Sequence, residues 1–83
     1  MAKRALITGI TGQDGGHLAA LLSGKNYEVY GLIRGQQNPK REMVERESPY
    51  VKLVEADLTD QSSLVRAVIT AEPDEVYNLA AIS

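Results

Sequence analysis

The chain has 83 residues, 43% of them hydrophobic and 24% charged, with a formal net charge of −2, one histidine and no cysteine. Those counts exclude a disulfide framework, a thiolate metal site, a cysteine nucleophile and a multi-histidine metal site, and the near balance of charge gives no overall pull toward nucleic acid or anionic lipid. The apolar runs fall far short of the roughly 18 residues of a membrane span, and no long apolar core of a secretory signal follows Met1-Ala2-Lys3-Arg4, so the expected setting is cytoplasmic.

In chain order, Arg4-Ala5-Leu6-Ile7-Thr8 is a short β-type run that ends at Gly9, the pattern of a strand buried on both faces. Leu18, Leu21 and Leu22 then stand at i, i+3 and i+4 among alanines, which predicts an amphipathic helix with that stripe turned inward. It should stop near Lys25-Asn26, where asparagine can take the left-handed cap conformation. Glu28-Val29-Tyr30-Gly31-Leu32-Ile33 reads as the second strand. The polar stretch from Arg34 to Pro49 leaves room for a short exposed helix from Lys40 to Glu47.

Tyr50-Val51-Lys52-Leu53-Val54-Glu55 alternates as a third strand, and Asp57-Leu58-Thr59-Asp60 supplies a loop and an N-cap. In the helix that follows, Leu64, Ala67 and Val68 form the expected stripe, widened by Val65 and Ile69, and Pro73 marks its end. Glu75-Val76-Tyr77-Asn78-Leu79-Ala80-Ala81 is the fourth strand. Strand and helix alternating at this spacing predict an α/β fold of parallel βαβ units with strand order 3-2-1-4. That is the N-terminal half of a Rossmann-type doubly wound sheet, incomplete because Val76, Tyr77, Leu79 and Ala80 form an edge that a fifth strand should cover. Size agrees, since a unit this short buries only about 60–65% of its unfolded surface.

The segment richest in chemistry is Thr8-Gly9-Ile10-Thr11-Gly12-Gln13-Asp14-Gly15, between a predicted strand and a predicted helix. Gly9 permits the sharp turn, Gly12 lets the backbone approach a pyrophosphate, and Gly15 lets the helix pack tightly on the sheet. The helix dipole and its unpaired amides complete an anion site, and no Gly-Lys-Ser/Thr follows to make a phosphate loop of the Walker type. The plainer reading is a purely structural turn. At the end of the second strand, Leu32-Ile33-Arg34 carries no acid to hold the ribose hydroxyls of NAD, whereas the Arg34 guanidinium suits the 2′-phosphate of NADP. A solvated surface arginine is the competing reading, and His17, Lys40 and Arg41 read as packing or solvated residues.

The glycine turn, Asp57-Leu58 after the third strand and Asn78-Leu79-Ala80-Ala81 on the fourth together resemble the extended short-chain dehydrogenase/reductase family of nucleotide-sugar enzymes. Gln13-Asp14 inside the turn, with residues 27–34, 57–60 and 73–81, is similar to the sugar dehydratases of that family. The likeness covers residues 4–83 apart from the segment between Arg34 and Tyr50, which is shorter than in the family. Asn26 stands where the family has glycine, and Ile82 where it has glutamine. The resemblance implies a partial NADP-binding Rossmann domain over residues 1–83, with the rest of that domain and a substrate domain elsewhere. It implies that Gly9, Ile10, Thr11, Gly12, Gln13 and Asp14 contact the pyrophosphate and its ribose, and that Arg34 meets the adenosine phosphate. Asp57 and Leu58 would border the adenine, Leu79, Ala80 and Ala81 the nicotinamide half, and Ser83 the substrate side.

The cofactor so implied is NADP, the substrate a nucleotide sugar with GDP-mannose foremost, and the assembly a homo-oligomer. The activity is a redox-neutral loss of water from the sugar. Family chemistry uses a Tyr-x-x-x-Lys pair. Here the residues four after Tyr27, Tyr30, Tyr50 and Tyr77 are Gly31, Arg34, Val54 and Ala81, so no catalytic residue is assigned within these 83. A nucleotide-sugar epimerase, reductase or other dehydratase, and a non-catalytic NADP-binding sensor, are the alternatives.

Overall fold

The structure, a computed structural model, describes residues 2–35, 39–57 and 59–79. The first strand, β1 (Arg4–Thr8), has Ala5, Leu6 and Ile7 at 1% exposure or less, without the alternation of a one-sided sheet, because helices cover both of its faces. The strand leads through the glycine turn into α1 (Gln13–Gly24), whose buried line is Gly15, Ala19 and Leu22. This corrects the expected stripe: Leu22 is inside and Leu18 half-buried, but Leu21 is 56% exposed. The small residues face the sheet, so the helix lies close to it, and a residue next to Leu22 projects about 100° away from it. As expected, α1 ends at Lys25-Asn26, with Asn26 at φ 68 and its amide donating to the Ser23 carbonyl at 3.1 Å.

The second strand, β2 (Glu28–Ile33), has the expected bounds, and α2 (Pro39–Glu47) lies over the expected helix, mostly exposed, with Val44 buried and Arg41 and Met43 half-buried. The third, β3 (Val51–Glu55), starts one residue later than expected, Tyr50 belonging to the preceding turn. In α3 (Gln61–Ala71) the Asp60 carboxylate accepts from the amides of Ser62 and Ser63, the cap the sequence indicates. The inward residues are Ala67 and Ala71 with half-buried Leu64; Val65, Val68 and Ile69 are exposed, so the expected apolar stripe is again corrected in favour of small residues against the sheet. Glu72, left-handed at φ 45, closes the helix before Pro73. The last strand is β4 (Glu75–Asn78).

All pairings are parallel and the order is β3-β2-β1-β4, as the strand-helix spacing predicts. Register sets the two faces. Ala5, Val29 and Val51 are in line and join Ile7, Ala19, Leu22 and Val44 in the core on the α1 and α2 side. Leu6 is paired with Tyr30 and packs with Leu32, Ala67 and Ala71 on the α3 side. At the outer edge Val76 of β4 is exposed, whereas Tyr77 and Leu79 are half-buried against the α1-side core, so the expected open edge is narrower than the sequence suggests. Gly31 of β2 lies beneath Ile10: a Cβ there would sit 2.7 to 3.0 Å from three Ile10 side-chain carbons.

Charges gather at the amino ends of the strands. The Glu28 carboxylate accepts from Arg4 Nε and Lys52 Nζ, each at 3.1 Å, tying three adjacent strands together. Those two hydrogen bonds, that from Lys52 first, hold its carboxyl below the ordinary value of 4.5. The Tyr27 and Tyr77 hydroxyls both donate to Glu75, at 3.3 and 2.7 Å.

Two outcomes follow from these contacts. Gly31→Ala should cost about 1–3 kcal/mol in denaturant unfolding through overpacking, and less in an Ile10→Ala background, where the two γ carbons are gone and only the Cβ remains in the way. A depressed carboxylate contributes stability above its unfolded pKa and loses it as pH falls through the folded one. The unfolding midpoints of the wild type and Glu28→Gln should therefore differ near neutrality and converge as pH drops below the ordinary carboxylate value of 4.5.

Candidate cofactor site

Because every strand is parallel, all four carboxyl ends meet at one edge, and the order reverses between β1 and β4, the switch point of the sheet, where the connections part to opposite faces and where open sheets of this kind hold ligands. The glycine turn occupies the β1 side of that switch point. Gly9 takes φ 83, a conformation that suits glycine, and its carbonyl accepts from the Gly12 amide at 3.1 Å. Gly12 is the N-cap of α1, with extended backbone and no side chain to cap the first amides; the Gly16 amide makes the bond back to its carbonyl at 3.1 Å. The first-turn donors that precede that bond are the orphan amides of a helix start. At α3 the equivalent donors are occupied by Asp60, so within one chain one helix start carries its own anion and the other has a glycine in that place.

Gly15 fixes where that start lies. A Cβ on it would collide with the Gly9 carbonyl oxygen and stand 2.9 Å from the Ile10 Cα, so helix and turn touch backbone to backbone. Among the expected contact residues, Gly12, Gln13 and Asp14 are exposed and Thr11 is half-buried. Ile10 differs: its side chain is 3% exposed in the core, which leaves only its backbone at the turn.

Arg34 and Asp57 come together from the ends of β2 and β3. The Arg34 side chain is 78% exposed, with Nε 3.6 Å from Asp57 Oδ2. Asp57 Oδ1 accepts from the Thr59 amide at 2.9 Å and the Thr59 hydroxyl at 2.7 Å, and these bonds, helped by Arg34, hold the carboxyl below its ordinary value. The Asp57 amide donates to Ser63 Oγ at 2.9 Å, which fastens the turn to α3. These residues line a cleft of about 580 Å³ that also includes Asp60 and Arg66.

At β4, the Thr8 hydroxyl donates to Asn78 Oδ1 at 2.6 Å and the Leu79 amide to the Thr8 carbonyl at 3.1 Å, so half-buried Leu79 is held beside the end of β1. Leu58, Ala80, Ala81 and Ser83 lie outside the described residues. Sequence reasoning missed Thr59, Ser63, Arg66 and Asn78 as members of this edge. The spacing of Ser63 and Arg66, three and six residues after the Asp60 cap, was the available signal. His17 is exposed and lines a separate cleft of about 490 Å³ between α1 and α2, which shares only Ile10, Thr11, Gly12 and Gln13 with the expected set. Among the described residues no cluster of His, Asp or Glu could hold a metal, and no helix is long and apolar enough to cross a membrane.

The arrangement offers the orphan amides of the α1 start to an anion, with the Arg34–Asp57 pair at the ends of the neighbouring strands. Comparison with known proteins gives the same direction. Residues 6–83 match the family model described as GDP-mannose 4,6 dehydratase. GDP-mannose 4,6 dehydratase 2 of Arabidopsis thaliana is 51% identical over 89 residues, covering 98% of this chain. The chain spans 24% of that relative's length. Among solved structures, AtPrR2 with NADP+ and (+)pinoresinol is similar at TM-score 0.77 and 28% identity, over 94% of this chain and 26% of its own. The Bordetella bronchiseptica enzyme WbmH in complex with NAD+ is similar at TM-score 0.69 and 26% identity, over 94% of this chain and 26% of its own.

Gly15→Ala should lose stability at the upper end of the roughly 1–3 kcal/mol range for overpacking, because the obstructing atoms are backbone and no rotamer change relieves them. Gly16→Ala is the control. Nothing lies within 4 Å of a Cβ at Gly16, so thermal unfolding should show it neutral or slightly stabilised.

Proposed function

Since the chain belongs to the GDP-mannose 4,6-dehydratase family, we propose that it forms part of the NADP-binding domain of an enzyme that converts GDP-mannose to GDP-4-keto-6-deoxymannose. The observation that carries the cofactor reading is the start of α1: a glycine N-cap with no side-chain acceptor, set by the Gly15 contact at the carboxyl edge of a parallel sheet. A dinucleotide pyrophosphate is the anion that fits a helix start reached through so small a cap. When bound, NADP would supply the transient acceptor for the hydride of mannose C4, which returns at C6 after water has left across C5 and C6.

The chain's own residues hold and orient. The amides at the start of α1 take the pyrophosphate, with the backbone of Gly9, Ile10, Thr11 and Gly12 close enough to shape its path. Arg34 takes the 2′-phosphate, and Asp57 accepts from the adenine amine. Leu79, held to Thr8, supports the ribose and nicotinamide half, a part the family likeness extends to Ala80 and Ala81, with Ser83 assigned to the substrate side. The sugar-binding groups and the Tyr-x-x-x-Lys pair belong to the rest of the enzyme, a cytoplasmic homo-oligomer on this reading.

Incubating the full-length protein with GDP-mannose and catalytic NADP+ should give a 4-keto-6-deoxy sugar nucleotide with no net accumulation of NADPH. Turnover of a different nucleotide sugar would move the reading to an epimerase, reductase or other dehydratase, and binding without turnover to a sensor.

A further inference from the structure

Resting on the assignment of Arg34 to the 2′-phosphate, we infer that Asp57 is a positioning residue for Arg34, so that the adenine acceptor and the phosphate cation work as one specificity-determining unit. The division of labour within the Asp57 carboxylate carries the inference. Oδ1 is engaged by the amide and hydroxyl of Thr59, at 2.9 and 2.7 Å, and Oδ2 is the oxygen that faces Arg34 Nε at 3.6 Å. Asp57 is itself anchored, since its amide donates to Ser63 Oγ at 2.9 Å at the head of α3. One partner of the pair is thus fixed to a turn and a helix, and the other is a long, largely exposed side chain.

An arginine that must meet a phosphate from solvent loses up to about 2 kcal/mol of rotamer freedom, and a fixed carboxylate that has already restricted it removes part of that cost. A guanidinium has five N–H donors in a rigid fork, so an ion pair through Nε does not exhaust it. The opposing effect is repulsion between the Asp57 carboxylate and the arriving phosphate. A phosphate taken by the far edge of the guanidinium would have it between itself and the carboxylate, and at about 0.3 M salt a repulsion across that distance is reduced by screening. Positioning therefore prevails. Any acceptor bond from the adenine amine must use Oδ2 as well, which makes one oxygen common to both ends of the adenosine phosphate.

The test measures dissociation constants for NADP+ and NAD+ by calorimetry on the full-length protein at about 0.3 M salt, with Asp57→Asn, Asp57→Glu, Arg34→Ala and the Asp57→Asn/Arg34→Ala double variant. Asp57→Asn should lower the preference for NADP+ over NAD+ by roughly two- to fivefold, as expected for an exposed ion pair. Asp57→Glu should lower it too, because the longer side chain keeps the charge but leaves the Thr59-locked position. In the Arg34→Ala background, Asp57→Asn should weaken both cofactors equally. If Arg34→Ala erases the preference while Asp57→Asn weakens both cofactors alike in the Arg34 protein, the positioning role is overturned and the phosphate role stands. The same holds if Asp57→Glu behaves as wild type. If the wild type has no preference for NADP+, or Arg34→Ala leaves it unchanged, the assignment of Arg34 itself falls and this inference with it.

Discussion

The contact on which the rest of the structure depends is the backbone-to-backbone meeting of α1 and the turn that precedes it. Glycine inside a helix costs about 1 kcal/mol relative to alanine, and here it occupies the third residue of α1 because a single added carbon would strike the Gly9 carbonyl and the Ile10 Cα. A second glycine repeats the device one strand away: Gly31 leaves the space that the Ile10 side chain fills. Between them these two missing carbons press the turn onto the sheet from one side and the helix onto the turn from the other. The buried line of α1, Gly15, Ala19 and Leu22, is a consequence, since a helix drawn in this closely has room for only small residues along its first turns.

The two ends of the sheet use polar groups differently. At the amino ends the charges are satisfied among themselves: Glu28 between Arg4 and Lys52, Glu75 between two tyrosine hydroxyls, and the Arg4 amide on the Asp74 carboxylate at 2.8 Å. Exposed pairs of this kind contribute little each, and the fold rests on the apolar strands Ala5-Leu6-Ile7 and Val29 beneath their helices. At the carboxyl ends the pattern changes. The α1 start has no side-chain cap, and Arg34 and Asp57 stand where two strands finish. The charge network of the amino ends and the uncapped start of α1 are thereby separated by the length of a strand.

That separation also explains what could be read in the sequence. Strand positions were legible because a doubly covered strand needs an unbroken apolar run bounded by turn residues, and β1 and β2 match that reading residue for residue. Helix faces were not. In both α1 and α3 the leucines, valines and isoleucines suggested a wide apolar stripe, but the buried residues are Gly15, Ala19 and Leu22 in α1 and Ala67 and Ala71 in α3, which leaves Leu21, Val65, Val68 and Ile69 outward. Periodicity reports where apolar residues recur; how near the helix lies to the sheet decides which of them are covered. The glycine turn was legible for the same reason that strands were, since its spacing is imposed by backbone geometry. Thr59 and Ser63 were not, because their part is to fix a turn through Asp57, a relation visible only once the end of β3 and the head of α3 are placed together.

Similar sheets have been solved with NADP+ in one protein and NAD+ in another, so the scaffold by itself does not choose the cofactor. On the proposed reading the choice belongs to what stands at the ends of β2 and β3. In NAD-preferring sheets an acid at the end of the second strand takes the ribose hydroxyls; here that position is Arg34, and the acid is one strand over, at Asp57. The parallel register continues past the last pair, Ile33 with Glu55, through the Ala56 amide donating to the Ile33 carbonyl at 3.0 Å. In that register Arg34 falls opposite Ala56 and Asp57 stands one residue further on, so the ion pair reaches diagonally across the ends of β2 and β3. On the proposed reading, β pairing brings the ends of β2 and β3 together, and the diagonal ion pair with Asp57 helps set the position of the positive charge for the adenosine phosphate.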